Sequence, residues 1–372
     1  MHTKRKISCY LPWFMPRVGE PEKKILLKVM ESNYLNDGNY TRLFEKKIAQ
    51  FIGVKYCVGV TNGTAAIALA LIGMGIGPGD EVIVPDLTFI ATANAVRLTG
   101  AEVKLLDIEP RRFTIDVELI KRNIGPRTKA IVPVDVNGRA ASYELLEPLA
   151  KSRGLALICD STEGLGSKYR GRYLGTFGDA GCFSFSANKT VTTGQGGMVV
   201  TNNTKLYQRL LELKDQGRRF QGTGGNDRHP VMGYNFKLTN LQAAVGIAQL
   251  ERLSGRLAQA RQRDKWYQEA LSGCPGLVLP SLANAAGEVA QWADVLVEDR
   301  KKVESILAKF KIGCRPFWYP LHTQKPYLLG NKRFPNSLFI SARGLWLPSS
   351  FDLTKQQAER VSGVIRSILE SK

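Results

Sequence analysis

In "SFSANKTVTTGQGGMVV" (residues 184–200) a single lysine, Lys189, stands among hydroxyl and amide side chains, with three glycines behind it. Ser184 and Ser186 alternate with Phe183 and Phe185 along a predicted strand, and Lys189 follows its end. A lysine at the exit of an apolar strand is costly to desolvate unless its charge is paired or lost. A lysine whose amine is used in a Schiff base escapes that cost; the alternative is a side chain that snorkels to solvent. In "LALICDSTEGLGS", Asp160 ends an apolar strand and Glu163 follows. A carboxylate there can be a metal ligand, a helix cap or the partner of a cationic ring nitrogen. The three histidines, His2, His229 and His322, lie near no other good ligand in sequence, which argues against metal. Cap and ring-nitrogen partner both stay open. In "TNGTAAIALA" a small-residue turn opens a helix, whose free N–H groups suit a phosphate. Gly63 permits close approach and the Thr64 hydroxyl adds a bond, although capping by Thr61, Asn62 or Thr64 explains the turn equally. Phe89, in "DLTFIATANA", follows a strand end and either stacks on a flat ring or packs in the core. A phosphate cup, an acid, a lysine and an aromatic face are together the minimum set for pyridoxal 5′-phosphate.

These groups need a scaffold that brings strand ends together. From Tyr56 onward, "YCVGV", "EVIVP", "AEVKLLDI", "KAIVPVDV", "LALICD", "GCFSF" and "GMVVT" read as strands separated by helical runs. Such alternation predicts βαβ units, a largely parallel sheet and the α/β class, with ligands beyond the strands' C-terminal ends. "GMGIGPGDE" (residues 73–81) superficially matches a dinucleotide fingerprint but follows a helix and precedes a strand. It therefore reads as a helix end and turn. After about Leu250 long charged helices frame a Trp/Pro-rich section. The expected organisation is an N-terminal arm (1–20), a large cofactor-binding domain (21–249) and a small C-terminal α/β domain (250–372). Residues 216–235 have too much glycine for an element interior and read as a long loop.

At 372 residues, two domains are the default. No apolar run approaches the roughly 20 residues of a membrane span, and the basic start "MHTKRKISCYLPWF" lacks the apolar core of a signal peptide. Six scattered cysteines without a C-x-x-C pair suit free thiols in a reducing cytoplasm. The net charge of +19 invites a nucleic-acid reading. The basic residues are dispersed, however, without a tail, zinc finger or aromatic RNA-binding signature. A solvated basic surface, able to draw in an anionic small substrate, fits better.

"NGTAAIALAL", "GDEVIVPDLTFIATANAV", "TKAIVPVDVNG", the run from "CDSTEGLGS" to "TTGQGGMVVTN" and "GYNFKLTNLQAAVGIAQLERL" resemble, in order and over nearly the whole chain, the DegT/DnrJ/EryC1/StrS sugar aminotransferases. The resemblance implies fold type I of the pyridoxal-phosphate enzymes and a homodimer with active sites at the subunit interface. It further implies amination of a nucleotide-linked keto sugar with glutamate as donor. It makes Lys189 the Schiff-base lysine, Asp160 the acid on the pyridine nitrogen and Glu163 the neighbour of the phenolic oxygen. Phe89 becomes the stacking ring, and Gly63, Thr64 and Ser184 the phosphate ligands. Asn235 would reach the phosphate of the partner subunit, and Trp318, Tyr319 and His322 would face the sugar. "NKTVTTGQGGMVV" and "FWYPLHTQKPY" are most similar to the subgroup acting at C4 of GDP-4-keto-6-deoxymannose, with UDP- or dTDP-linked sugars and cyclitols as alternatives. Relatives that are 3-dehydratases carry histidine where this chain has Lys189. Ser186-Ala187, Gln195 and Lys237 depart from the family's usual aromatic-glycine, glutamate and arginine.

Overall fold

The computed structural model describes residues 10–219, 227–280, 282 and 287–370. Seven strands form the central sheet: β1 (Tyr56–Val60), β2 (Glu81–Pro85), β3 (Glu102–Leu106), β4 (Thr128–Ile131), β5 (Ala156–Asp160), β8 (Ala180–Ser184) and β9 (Gly197–Thr201). A two-stranded ribbon, β6 (Lys168–Tyr169) with β7 (Arg172–Tyr173), interrupts the chain between β5 and β8. The spatial order is β1-β9-β8-β5-β4-β2-β3, and only β9 runs against its neighbours. Strands buried on both faces carry continuous apolar runs rather than alternation, as "ALICD" of β5 does with every residue buried. The seven strands read from sequence are these seven, and the chain is an α/β protein with a mostly parallel sheet.

Helix Gly63–Gly73 lies across β8 and β9, apolar all round because it is covered on all sides. It ends as expected of "GMGIGPGDE": Gly75 takes a left-handed φ of 82°, which turns the chain back toward β2. Ahead of β1 lie two helices not anticipated from sequence, Glu20–Glu31 and Asn39–Ile52. The helical run expected from Leu250 is the helix Leu253–Leu271, and a further helix, Asn240–Leu250, comes directly before it.

A second, all-antiparallel sheet has the order β10 (Leu277–Val278), β11 (Asp294–Val297), β13 (Gly344–Trp346), β12 (Arg315–Pro316). It packs with helices Leu253–Leu271, Arg300–Lys309 and Lys355–Glu370 around Tyr267, Val295, Leu307, Leu345, Val361 and Ile365. Leu11 belongs to this core and forms a parallel bridge with Ile312. Leu11 N donates to Lys311 O (2.9 Å) and Gly313 N to Leu11 O (2.7 Å), so the arm is stitched to the last third of the chain.

Candidate active site

Asp160 closes β5 and is 3% exposed. Its Oδ2 accepts from Thr92 Oγ1 at 2.7 Å and its Oδ1 from Thr162 N at 3.2 Å, so two donors fix the carboxylate plane. Behind it, burial pushes the carboxyl of Asp135 up to about 7, against hydrogen bonds from Ser161, Tyr143 and Ala141 and with the Asp160 charge adding to the rise. Glu163 Oε1 lies 3.2 Å from Lys189 Nζ, and its Oε2 accepts from Asn137 N at 2.9 Å. Asn137 adopts a left-handed φ of 52°, which Asn tolerates better than most residues. It is locked there by Nδ2 donating to Trp292 O (2.8 Å) and by Trp292 N donating to its Oδ1 (2.8 Å). Lys189 Nζ sits 5.2 Å from the Trp292 ring centroid, an additional cation–π contact for a side chain only 11% exposed.

At the start of helix Gly63–Gly73, Asn62 is the cap: its Oδ1 accepts from Ala65 N at 2.8 Å. Capping therefore does not require Thr64. A Cβ on Gly63 would stand 2.9 Å from Ser184 Cβ and 3.2 Å from Ser184 Oγ, closer than real packing allows. The helix start and the end of β8 thus form a narrow polar cup that needs glycine. This cup, Asp160 and the Lys189–Glu163 pair surround one cavity of about 580 Å³, also lined by Thr88, Phe89, Thr92, Ser186, Trp292, Arg315 and Trp318. A phosphate fits the cup, a protonated ring nitrogen fits Asp160 and a carbonyl carbon fits the Lys189 amine, so the donor set suits pyridoxal phosphate.

Gly63, Thr64, Phe89, Asp160, Glu163, Ser184, Lys189 and Trp318 all meet at this cavity. Phe89 stands at the rim, 52% exposed. Three expected residues do not line it. Tyr319 is 67% exposed. Asn235 is exposed, opposite Asp215 in an antiparallel bridge. His322 is fully buried, its Nδ1 2.7 Å from Asp86 Oδ2 and its N donating to Asp86 Oδ1 at 2.8 Å. The expected hydrogen bond from His322 to a sugar is not available in this arrangement, because its ring stacks on Phe334 inside the protein.

The residues not found from sequence are Thr92, Asn137, Trp292 and Arg315. Thr92 had a signal, since it follows Thr88 by four residues at a helix start and so shares a face with it. Asn137 had one too, in the turn dipeptide Asn-Gly. Trp292 and Arg315 had none. Among the described residues no group of three or more His, Cys, Asp or Glu side chains could hold a metal, and no helix is long and apolar enough to cross a membrane.

Residues 16–366 match the DegT/DnrJ/EryC1/StrS aminotransferase family. The chain is 38% identical over 355 residues to GDP-perosamine synthase of Escherichia coli O157:H7, covering 94% of this chain and 95% of that protein. It is 35% identical to the UDP-N-acetyl-3-dehydro-alpha-D-glucosamine 3-aminotransferase of Acidithiobacillus ferrooxidans, over 92% of each. Among solved structures it superposes on S. venezuelae DesV with a TM-score of 0.90 at 32% identity, covering 94% of each chain.

Proposed function

We propose, for a chain that belongs to the DegT/DnrJ/EryC1/StrS aminotransferase family, that its reaction converts a nucleotide-linked 4-keto-6-deoxy sugar to the 4-amino sugar with glutamate as donor. The favoured substrate is GDP-4-keto-6-deoxymannose, the product GDP-perosamine, and the setting a homodimer in the cytoplasm. The observation that carries the reaction is Lys189 Nζ held 3.2 Å from Glu163 in the cavity that also exposes the Gly63–Ser184 cup and Asp160. The sugar rests on the likeness to the E. coli GDP-perosamine synthase over 94% of the chain.

Pyridoxal 5′-phosphate, when bound, supplies a carbonyl for an amine and a ring that delocalises the electron pair left by a departing proton. Gly63 N–H and the Thr64 and Ser184 hydroxyls hold its phosphate, and Asn235 adds a ligand to the site of the partner subunit. Phe89, at the cavity rim, would cover one face of the ring. Asp160 keeps a proton on the pyridine nitrogen through a charge-assisted pair, and Thr92 holds that carboxylate in place. Glu163 orients the Lys189 amine. Lys189 would then take the proton from the α-carbon of the donor and give one up again, as base and then acid. Trp318 offers a flat face to the sugar, and a surface of net charge +19 favours encounter with an anionic nucleotide sugar.

A UDP- or dTDP-linked keto sugar is the second reading, favoured by the 35% identity to an enzyme named for a UDP-linked substrate. Turnover of the holoenzyme with glutamate and a panel of GDP-, UDP- and dTDP-linked 4-keto sugars separates them. The highest kcat/KM should fall on the GDP sugar. A preference for UDP or dTDP overturns the nucleotide, and failure to aminate any of them overturns the reaction.

A further inference from the structure

We propose that Arg315 is the oxyanion receptor of this cavity, taking the negatively charged end of a substrate whose reacting end lies at Lys189. The inference rests on the aminotransferase reading of the same site. Arg315 opens β12, where it pairs with Trp346 of β13, and it lines the cavity that Lys189 lines. Its guanidinium carbon stands 5.2 Å from the Trp13 ring centroid and 5.7 Å from that of Trp346. Among the described residues no carboxylate pairs with it and no carbonyl accepts a hydrogen bond from it. Three other arginines near the second sheet differ in having carboxylate partners. Arg139 binds Asp294 with both terminal nitrogens (2.7 and 2.8 Å), Arg112 reaches Glu288, and Arg263 binds Asp264 at 2.9 Å.

The tryptophans connect Arg315 to the reacting lysine. Trp292, which carries Lys189 Nζ on its face, lies 5.6 Å from Trp13 and 5.0 Å from Trp346, ring centroid to centroid. One aromatic cluster therefore supports both cations, and both open on one cavity. The charge of Lys189 is matched by Glu163, and that of Arg315 by no carboxylate among the described residues. A guanidinium resting on indole faces keeps the N–H groups of its planar fork available, and the packing around it lowers the entropy lost on binding. That fork matches a carboxylate or a phosphate bidentately. The reaction offers two such groups, the α-carboxylate of the amino donor and the diphosphate of the nucleotide sugar.

The test titrates the cofactor-loaded protein and its Arg315→Gln and Arg315→Lys variants with glutarate, a dicarboxylate that cannot donate an amine, and separately with GDP. Intrinsic tryptophan fluorescence and calorimetry give Kd, and the cofactor absorbance and thermal midpoint report folding. Arg315→Gln should weaken at least one of the two anions by about tenfold to a hundredfold, the loss expected for a charge-assisted pair. Weakened glutarate assigns the donor carboxylate, and weakened GDP the diphosphate. If Arg315→Gln does not fold, Arg315→Lys decides, because it keeps the charge without the fork and should still weaken binding several-fold. Unchanged Kd for both anions in the folded variants, or a wild type that binds neither, overturns the assignment. Turnover that persists beside unchanged Kd values would sink this inference alone, whereas absent turnover with an Arg315-dependent Kd would sink only the proposed reaction.

Discussion

Thr92 Oγ1 donates a 2.7 Å hydrogen bond to Asp160 Oδ2, joining the helix that follows Phe89 to the end of β5. Both residues are buried, so the bond is shielded from water and sets the direction of the carboxylate. Thr92→Val keeps the shape and deletes the donor. The fold should persist while kcat falls about tenfold to a hundredfold, the range for hydrogen bonds to charged groups. Steady-state kinetics beside a thermal melt measures both; an unchanged kcat would mean that Asp160 needs no such support.

Lys189→Ala removes the amine held by Glu163. Borohydride treatment of the cofactor-loaded wild type should fix the cofactor irreversibly to the chain, and the variant should show no such adduct by mass spectrometry. Full turnover by the variant would exclude Lys189 as the proton carrier.

Asn235 is exposed on its own subunit and does not line the cavity, which suits a role in a neighbouring site. Lys189→Ala and Asn235→Ala subunits, each inactive alone, should regain activity on mixing, because one site of each mixed dimer is intact. No recovery after verified subunit exchange would count against shared sites.

Asp86 holds His322 twice, and both are fully buried. Asp86→Ala leaves a backbone N–H and a ring nitrogen without their acceptor, and should cost about 2–5 kcal/mol of stability. Because Asp86 leads into Thr88 and Phe89 while His322 follows Trp318, two cavity walls should loosen together. KM for the sugar should rise in the variant, as kinetics under conditions where it remains folded would reveal.

The carboxyl of Asp135 is raised by burial to about 7, against an unfolded value of about 4. Between those values the folded protein holds a proton that the unfolded chain has released. This contribution to stability is therefore fully present below about pH 4 and is lost as pH rises to about 7. Asp135→Asn mimics the protonated form and should flatten that part of the profile. The comparison is the thermal midpoint of wild type and variant from pH 5 to 7.5; parallel profiles would refute the raised value.

Lys189, Asp160, Ser184 and Gly63 were legible because each sits at a strand end or the helix start beyond one, and strand ends follow from local apolar runs. Their convergence follows from parallel topology alone, which places those ends at one edge. Trp292 and Arg315 could not be read in this way. Each arrives through the packing of the second sheet on the first, and nothing within a few residues of either marks the destination. His322 shows the converse. Its motif suggests a ligand, but its partner Asp86 is 236 residues away, and only the assembled chain shows that the ring faces inward. The two N-terminal helices carry real amphipathic faces, as Phe44, Ile48 and Ile52 show, yet lie outside the alternating pattern that organised the reading.

Leu11 pairs with Ile312 and shares a core with the helix Lys355–Glu370. A ribosome working at about 5–20 residues per second delivers Leu11 roughly fifteen seconds to a minute before its mate. Before that interval ends the central sheet has received all seven of its strands, while the smaller core still lacks most of its wall. Vectorial synthesis therefore makes the first segment of chain one of the last to dock, and leaves its apolar side chains open to chaperones for most of translation.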